Sequence, residues 1–376
     1  MSDHAAESAA PAVNPGRRTV IPFGPQHPVL PEPLQLRLVL EDEKVVEALP
    51  ALGYVHRGLE KLAEQKDFQQ VAFIAERICG ICSFQHAMGY CQGIESLMGI
   101  AVPDRARFLR VVWAELHRLH SHLLWFGLLA DAFGFENLFM QSWRSREAVL
   151  DIMEATAGAR IMLGACCVGG VRRDISPEGL DSVLRTCDGL RQDFDKVISP
   201  MLNDYSVRQR TVGVGVLSPQ QAHDLGAVGP VAKACGIARD HRATGYAAYG
   251  ELGVEPVVEQ GGDSHARTRV RVRELYQCLD LIRRAVEALT KTPGGPIAAP
   301  VKGNPSGETV TRVEQPRGEV IYYIKANGTK NLERFRVRTP TFANIPPLLA
   351  MLPGCQLADV PVIVLSIDPC ISCTER

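Results

Sequence analysis

Two cysteine pairs carry the clearest chemical signal in this chain. Cys79 and Cys82 are separated by Gly80 and Ile81, and Cys370 and Cys373 by Ile371 and Ser372. A two-residue spacer lets both sulfurs of a pair turn toward one centre. Together the pairs offer four soft, electron-rich ligands, a set suited to zinc, to iron–sulfur clusters, or to nickel and iron. Zinc knuckles space their pairs by roughly 12–20 residues, whereas these pairs lie near opposite ends of the sequence. A local structural zinc is therefore disfavoured, and a site tying the chain end to the core is favoured. Cys91, Cys166, Cys167, Cys187, Cys235, Cys278 and Cys355 are scattered on apolar patterns and read as buried inert thiols. Cys166 and Cys167 are adjacent, which is poor geometry for shared chelation.

Composition sets the class of molecule that must position these sulfurs. The 376 residues include 41 basic and 42 acidic side chains, a formal net charge of -1, with 46% hydrophobic and 22% charged residues. That is a folded globular composition with one large core or two smaller ones. Balanced charge argues against a nucleic-acid groove. No stretch approaches the roughly 18 apolar residues that span a membrane. No basic segment followed by an apolar run opens the chain, so no secretory signal is expected. The 11 cysteines then face a reducing compartment and read as thiols or metal ligands before disulfides.

The chain divides by texture. Residues 1–19 are rich in Ala, Ser and Pro and read as a flexible tail. The remainder, 20–376, reads as a single domain in three parts. A β-rich part covers 20–50, with a hairpin over 34–50 turning at Asp42 and Glu43. A helical body covers 56–292. Its long central helix starts at Asp104, a candidate N-cap after Pro103, and repeats Phe108, Leu109, Val112, Leu116, Leu119 and Leu123 to about Ala130. Further helices are expected over 144–165, 177–204, 218–235 and 264–292. A mixed C-terminal part covers 297–376, with strands at Val320 to Lys325 and Arg334 to Arg338 and a short helix over 345–352. A buried strand is expected over Val360 to Ile367, a continuous apolar run. The expected fold class is mainly α with small β parts, an α+β chain around a long-helix bundle.

The stretch Glu76 to His86 (ERICGICSFQH) and the terminal Asp368 to Arg376 (DPCISCTER) resemble the large, catalytic subunit of nickel–iron hydrogenases. Gly24 to Pro28 (GPQHP) resembles the opening of the related 49-kDa-type subunit of respiratory complex I. His56 to Glu60 (HRGLE) and Gln315 to Glu319 (QPRGE) also match hydrogenase motifs. The likeness runs from about residue 20 to the end. It is nearest to the membrane-associated, energy-converting group, such as the Ech-type and carbon-monoxide-linked enzymes. Complex I subunits share the scaffold but lack the paired cysteines, so the resemblance implies that this chain retains a metal centre.

The same resemblance implies roles. Cys79 and Cys370 are terminal nickel ligands, and Cys82 and Cys373 bridge nickel to an iron that carries carbon monoxide and cyanide. His86, four residues after Cys82, tunes a bridging sulfur by a hydrogen bond; on sequence alone it reads equally as a core histidine. Arg317, after Pro316, overhangs the site and is held by Asp368, although on bare sequence both fit surface charges. Thr341 donates to a cyanide. Glu32, between Pro31 and Pro33, matches the proton-transferring glutamate, its other reading being an exposed loop carboxylate. Glu60 matches a magnesium ligand, but the chain ends in Arg376 where that family has histidine. The departure speaks against magnesium and for a Glu60–Arg376 salt bridge. Only Thr374, Glu375 and Arg376 follow the last cysteine, which fits either a processed chain or a gene without a C-terminal extension.

His117, His120 and His122 on the long helix read as polar punctuation near a subunit contact. Asp240, Arg242, Arg267, Arg271 and Arg273 read as buried or interfacial charges. The implied activity is reversible dihydrogen oxidation or proton reduction. Implied partners are a small subunit with an iron–sulfur cluster, a ferredoxin-like subunit with soluble ferredoxin, and membrane subunits that translocate ions. The chain is then peripheral, on the cytoplasmic face of the membrane. The competing classes are a non-catalytic scaffold or quinone-interacting subunit with a structural zinc, and a dithiol redox protein.

Overall fold

The computed structural model describes residues 18–376. The expected tail therefore lies outside the described residues up to 17, while Arg18 and Thr19 already belong to a strand. That strand, β1 (Arg18–Phe23), joins β2 (Gln35–Glu41) and β3 (Lys44–Ala51) in an antiparallel sheet of order β1-β2-β3. The expected hairpin is β2–β3, and its turn residues Asp42 and Glu43 both adopt positive φ. Alternation places Leu36, Leu38 and Leu40 inward against the C-terminal elements.

Short helices α1 (Leu59–Glu64) and α2 (Phe68–Glu76) lead to α3 (Ser83–Met98), which starts directly at Cys82. Next come α4 (Asp104–Ala132) and α5 (Glu136–Ala157), the small hairpin β4 (Cys166–Cys167) and β5 (Gly170–Val171), and α6 (Pro177–Asn203). Helices α7 (Tyr205–Thr211), α8 (Pro219–Asp224), α9 (Gly229–Ala234) and α10 (Tyr249–Leu252) cover one end. Then α11 (Ser264–Lys291) returns through the body. Helix α4 packs on α5 and α11, and α6 closes the ring against the same two, giving a four-helix bundle with α4 almost wholly buried. The second sheet is β6 (Ser306–Gln315), β7 (Gly318–Asn327) and β8 (Leu332–Arg338), antiparallel in that order, with α3 lying on β6 and β7. Helices α12 (Pro340–Met351), α13 (Val360–Ser366) and α14 (Ile371–Thr374) complete the chain. The fold is the expected mixture of long helices and small sheets. Among the described residues no helix is long and apolar enough to cross a membrane.

Several boundaries differ from the sequence expectations. Pro103, not Asp104, is the N-cap of α4. Asp104 sits in the first turn, where its charge favours the positive end of the helix dipole. Helix α5 starts and ends earlier than 144–165, because Gly158 in the left-handed region stops it. The stretch 218–235 is two helices, broken where Gly226 and Gly229 take positive φ. The short helix of 345–352 begins five residues earlier, at Pro340. Strand β6 has no counterpart among the expected elements. The run Val360 to Ile367 forms helix α13 and its C-cap, not a strand. An apolar run buried on all sides has the same pattern in either form, and Pro361 at its start suits a helix N-terminus.

Candidate metal centre

Four sulfurs from the two ends of the chain meet in the core. Cys79 Sγ lies 3.2 Å from Cys370 Sγ, and Cys82 Sγ 3.4 Å from Cys373 Sγ. All four side chains are buried and none is in a disulfide. The sulfurs of Cys79, Cys82 and Cys373 fall within 4.8 Å of one another. Metal–thiolate bonds of about 2.3 Å set sulfurs at this kind of separation around a shared metal. The thiols of Cys370, Cys373 and Cys82 turn toward Cys79 and hold it well below an ordinary thiol. Burial pushes Cys82 and Cys373 well above. Four buried thiols cannot ionise together without a cation among them, so the donor set fits a soft, multiply charged metal group.

Each pair is delivered by a different device. Cys82 is the N-cap residue of α3, so its pair sits where the α2–α3 turn becomes helix. The tail pair is pinned from several sides. Thr339 Oγ1 donates to the Cys373 carbonyl at 3.0 Å, and Thr341 Oγ1 accepts the Cys370 N–H at 3.1 Å. Thr341 thus reaches a tail cysteine's backbone and keeps a hydroxyl proton to donate. Glu32 accepts the N–H groups of Ile371 and Ser372, the latter at 3.0 Å, and the Ser372 hydroxyl. It lies half-buried at the tail cysteines, because it opens on a groove of about 490 Å³ lined by Pro25 to Pro28 and Leu30 to Pro33.

Arg317 occupies the two-residue turn between β6 and β7, behind buried Pro316. Its Nη2 donates to Asp368 Oδ1 at 2.8 Å, its Nε to the Asp368 carbonyl at 2.8 Å, and its Nη1 to Ser121 Oγ at 3.3 Å. Asp368 has φ 55°, a left-handed turn that presents carboxylate and carbonyl to one guanidinium. Burial alone would lower Arg317, but Asp368 and the sulfurs of Cys370, Cys79 and Cys82 outweigh it and keep it charged. The turn is located by close backbone approach: a Cβ on Gly229 would lie 2.4 Å from the Arg317 carbonyl oxygen, and one on Gly318, at φ 127°, would lie 2.6 Å from the Gly229 nitrogen.

His86 Nε2 lies 3.4 Å from Cys373 Sγ, and its Nδ1 meets the Tyr322 hydroxyl. Burial pushes the imidazole down to about 4. The neutral ring satisfies both contacts when Nδ1 accepts from Tyr322 and Nε2–H faces the sulfur. The sulfur reached belongs to the tail pair, not to Cys82 on the histidine's own helix.

Glu60 is held by Arg376 and Arg336, each at 2.9 Å, and by the Val337 N–H at 2.9 Å. Burial would raise its carboxyl, but that amide and the two guanidiniums outweigh it and keep it below the ordinary glutamate range. His117, His120 and His122 all sit inside the bundle rather than near a surface contact. Arg146 Nε donates to His120 Nδ1 at 3.0 Å, and His122 Nε2 pairs with Glu274 at 2.8 Å. Asp240, Arg242, Arg267 and Arg271 are buried, while Arg273 is exposed.

Residues outside the sequence-derived set also hold the tail. Glu375 accepts the N–H groups of Gly53 and Val55 at 2.6 Å, and His56 Nδ1 lies 2.8 Å from the Glu375 carbonyl. Arg57 reaches the carbonyls of Arg77, Ile78 and Ser372, bridging the two cysteine segments. The HRGLE stretch that contains His56 and Arg57 is the sequence signal that could have marked them.

A family model described as "Nickel-dependent hydrogenase" matches residues 57–133. One described as "Respiratory-chain NADH dehydrogenase, 49 Kd subunit" matches residues 133–302 and 300–376. The carbon monoxide-induced hydrogenase of Rhodospirillum rubrum is 41% identical over 95% of this chain and 99% of its own length. The alpha subunit of the membrane-bound hydrogenase of Pyrococcus furiosus is 36% identical over 95% of this chain and 87% of its own. A subunit of the NADH-quinone oxidoreductase of Syntrophobacter fumaroxidans is 36% identical over 94% of this chain and 95% of its own. A solved chain of the membrane-bound sulfane sulfur reductase, an archaeal respiratory membrane complex, superposes with a TM-score of 0.91 at 29% identity, over 97% of this chain and 100% of that one. With its sulfur pocket described and these matches in hand, the chain belongs to the nickel–iron hydrogenase large-subunit family, in the energy-converting, membrane-bound group related to the complex I 49-kDa subunit.

Proposed function

We propose that this chain is the catalytic subunit of a membrane-associated nickel–iron hydrogenase that cleaves and forms dihydrogen reversibly. The observation that carries the reading is the convergence of four buried cysteine sulfurs beneath the Arg317–Asp368 pair. A nickel–iron pair held by Cys79, Cys82, Cys370 and Cys373, with carbon monoxide and cyanide on iron, would supply the redox centre for heterolytic cleavage of dihydrogen. Arg317 keeps a fixed positive charge over the pocket, and Asp368 fixes its direction. His86 orients and polarises the Cys373 sulfur. Glu32, with both oxygens at the tail-cysteine segment and one side on an open groove, takes and releases the proton. Thr341 offers its hydroxyl to a diatomic ligand on iron. The Glu60 oxygens are engaged by two guanidiniums and an amide, so Glu60 anchors the tail rather than magnesium.

Electrons must leave through another chain. A small subunit that carries an iron–sulfur cluster close to the pocket fills that role, with a ferredoxin-like subunit and soluble ferredoxin as carriers. Membrane ion-translocating partners at the cytoplasmic face complete the assembly, in keeping with relatives named as parts of membrane-bound complexes. The match of residues 133–302 and 300–376 to the 49 Kd subunit favours a second reading, a quinone-interacting or scaffold subunit with a structural zinc. Metal analysis of the purified complex separates them. Nickel and iron near one each support the enzyme, and zinc alone rejects it.

A further inference from the structure

A second buried charge cluster adjoins the arginine-bearing turn. Lys233 Nζ contacts three carboxylates at once: Glu274, Asp240 at 3.0 Å and Glu314 at 3.5 Å. Arg242 ties Asp240 at 2.8 Å to Glu115 at 3.1 Å, and Arg118 lies 3.3 Å from Glu115. All seven side chains are buried. The three cations Lys233, Arg242 and Arg118 face the four carboxylates Asp240, Glu274, Glu115 and Glu314. Among these seven groups one negative charge is in excess, and a buried excess charge is relieved by protonation or by a nearby cation, here Arg271, within electrostatic reach of Glu274.

The geometry says which carboxylate is odd. Glu115, Asp240 and Glu274 each hold a cation at close range and stay low. Glu314 has the longest contact with Lys233 and faces Asp240; burial, then the Asp240 charge, raise it to about 7. Its other neighbours are the Arg118 guanidinium on its carbonyl, the Tyr246 hydroxyl on its N–H, and the His241 backbone N–H, 3.2 Å from Oε2. Across the β6–β7 ladder it stands opposite Glu319, which pairs with the His241 ring and with Arg338 at 2.8 Å toward the surface.

Inward, Glu274 binds His122, whose Nδ1 has no protein partner. Arg271 Nε and Nη2, Asp368 Oδ2 and both polar atoms of the Gln315 side chain are also buried without one. Arg271 is within electrostatic reach of Asp368, Glu274 and Arg317. Arg271 thus couples the cluster electrostatically to the Arg317–Asp368 pair. Glu314 is three residues before Arg317, on the strand that leads into the Arg317 turn.

We propose that Glu314 is a redox-linked proton-loading site: it takes one proton from the Glu319–His241 ring pair on the solvent side, relayed by water, when negative charge builds in the sulfur pocket, and releases it when that charge leaves. In loading, an N–H or O–H bond breaks on the donor and an O–H bond forms on Glu314. The electrons, supplied by dihydrogen or a reduced low-potential carrier, stay in the pocket. The redox link rests on the hydrogenase reading; the proton site itself does not.

The test is infrared difference spectroscopy on the purified complex, in two steps. Without any redox change, a protonated-carboxyl band should disappear as pH rises through neutrality and be diminished in Glu314→Gln, while Glu314→Asp keeps it whole. Burial also raises Glu76 to about 7, so the wild-type band has two components, and Glu314→Gln should remove one of them and leave only that of Glu76. Reduction should then move the Glu314 titration to higher pH, by about one unit for each 1.4 kcal/mol of added repulsion. No titrating band in the wild type, or one unchanged in Glu314→Gln, overturns the proton site. A Glu314 titration unmoved by reduction in a nickel-containing complex overturns the redox link. A zinc-bearing complex would still show the first step, so failure of the hydrogenase reading is separately visible. If Glu314→Gln does not assemble, Glu76→Gln decides instead: a titrating band retained there belongs to Glu314, and loss of the whole band there overturns the proton site.

Discussion

Cys370 Sγ lies 3.2 Å from Cys79 Sγ although 291 positions separate the two residues in sequence. The contact makes the tail part of the core, and it makes assembly of the pocket depend on every clamp that holds the tail.

The sulfurs and the histidine beside them should respond differently to substitution. Cys79→Ser or Cys373→Ser should remove stoichiometric nickel and lower hydrogen turnover by more than about a hundredfold. His86→Ala should keep the metal but cost roughly 10- to 100-fold in activity or metal affinity, because it loses only the group that orients a ligand. Metal analysis beside hydrogen uptake separates these outcomes. Equal metal loss in both would contradict the distinct role of His86.

Arg317 makes three directed contacts that a lysine cannot reproduce. Arg317→Lys should fold, keep the metal and lose roughly a hundredfold in turnover. Arg317→Ala should also destabilise the chain by about 3–5 kcal/mol, since it leaves Asp368 buried and unpaired. Thermal unfolding and kinetics together check both. A lysine variant with wild-type turnover would remove Arg317 from the catalytic machinery.

Glu32→Gln retains the shape of the cap on Ile371 and Ser372 but cannot carry a proton. Hydrogen oxidation should fall by roughly 10²–10⁴ with nickel content unchanged. Hydrogen–deuterium exchange in the gas phase should fall with it. Unimpaired exchange would place the proton route elsewhere.

The tail anchor is pH dependent. Glu60 is held below its ordinary value, so its contribution is full above about pH 4.3 and fades as pH falls through the lower folded value. Arg376→Ala should cost about 1 kcal/mol near neutrality and flatten the acid limb of the stability curve. An acid limb unchanged in Arg376→Ala would show that the pair does not anchor the tail.

The sulfur pocket was legible in the sequence because paired cysteines with a two-residue spacer have few other uses at the end of a chain. Arg317, Asp368 and His86 became legible only through family motifs, since a charge in sequence does not say which way it faces. The same limit hid the buried cluster. Asp240 and Arg242 read as buried or interfacial, but nothing in the sequence marks Lys233, Glu274 or Glu314, and only the tertiary packing of α9, α11 and β6 buries them together. Long helices such as α4 were visible from their apolar period. Val360 to Ser366 was not, because a run buried on every side has no period to read. Glycines set the stops that were missed, at Gly158 after α5 and at Gly226 and Gly229 between α8 and α9.

Infrared spectroscopy of the purified complex, paired with metal analysis of the same sample, bears most directly on the central claim. A nickel–iron pair in the sulfur pocket predicts carbonyl and cyanide stretching bands on iron, with nickel and iron near one each. Zinc in the pocket with no such bands would contradict it.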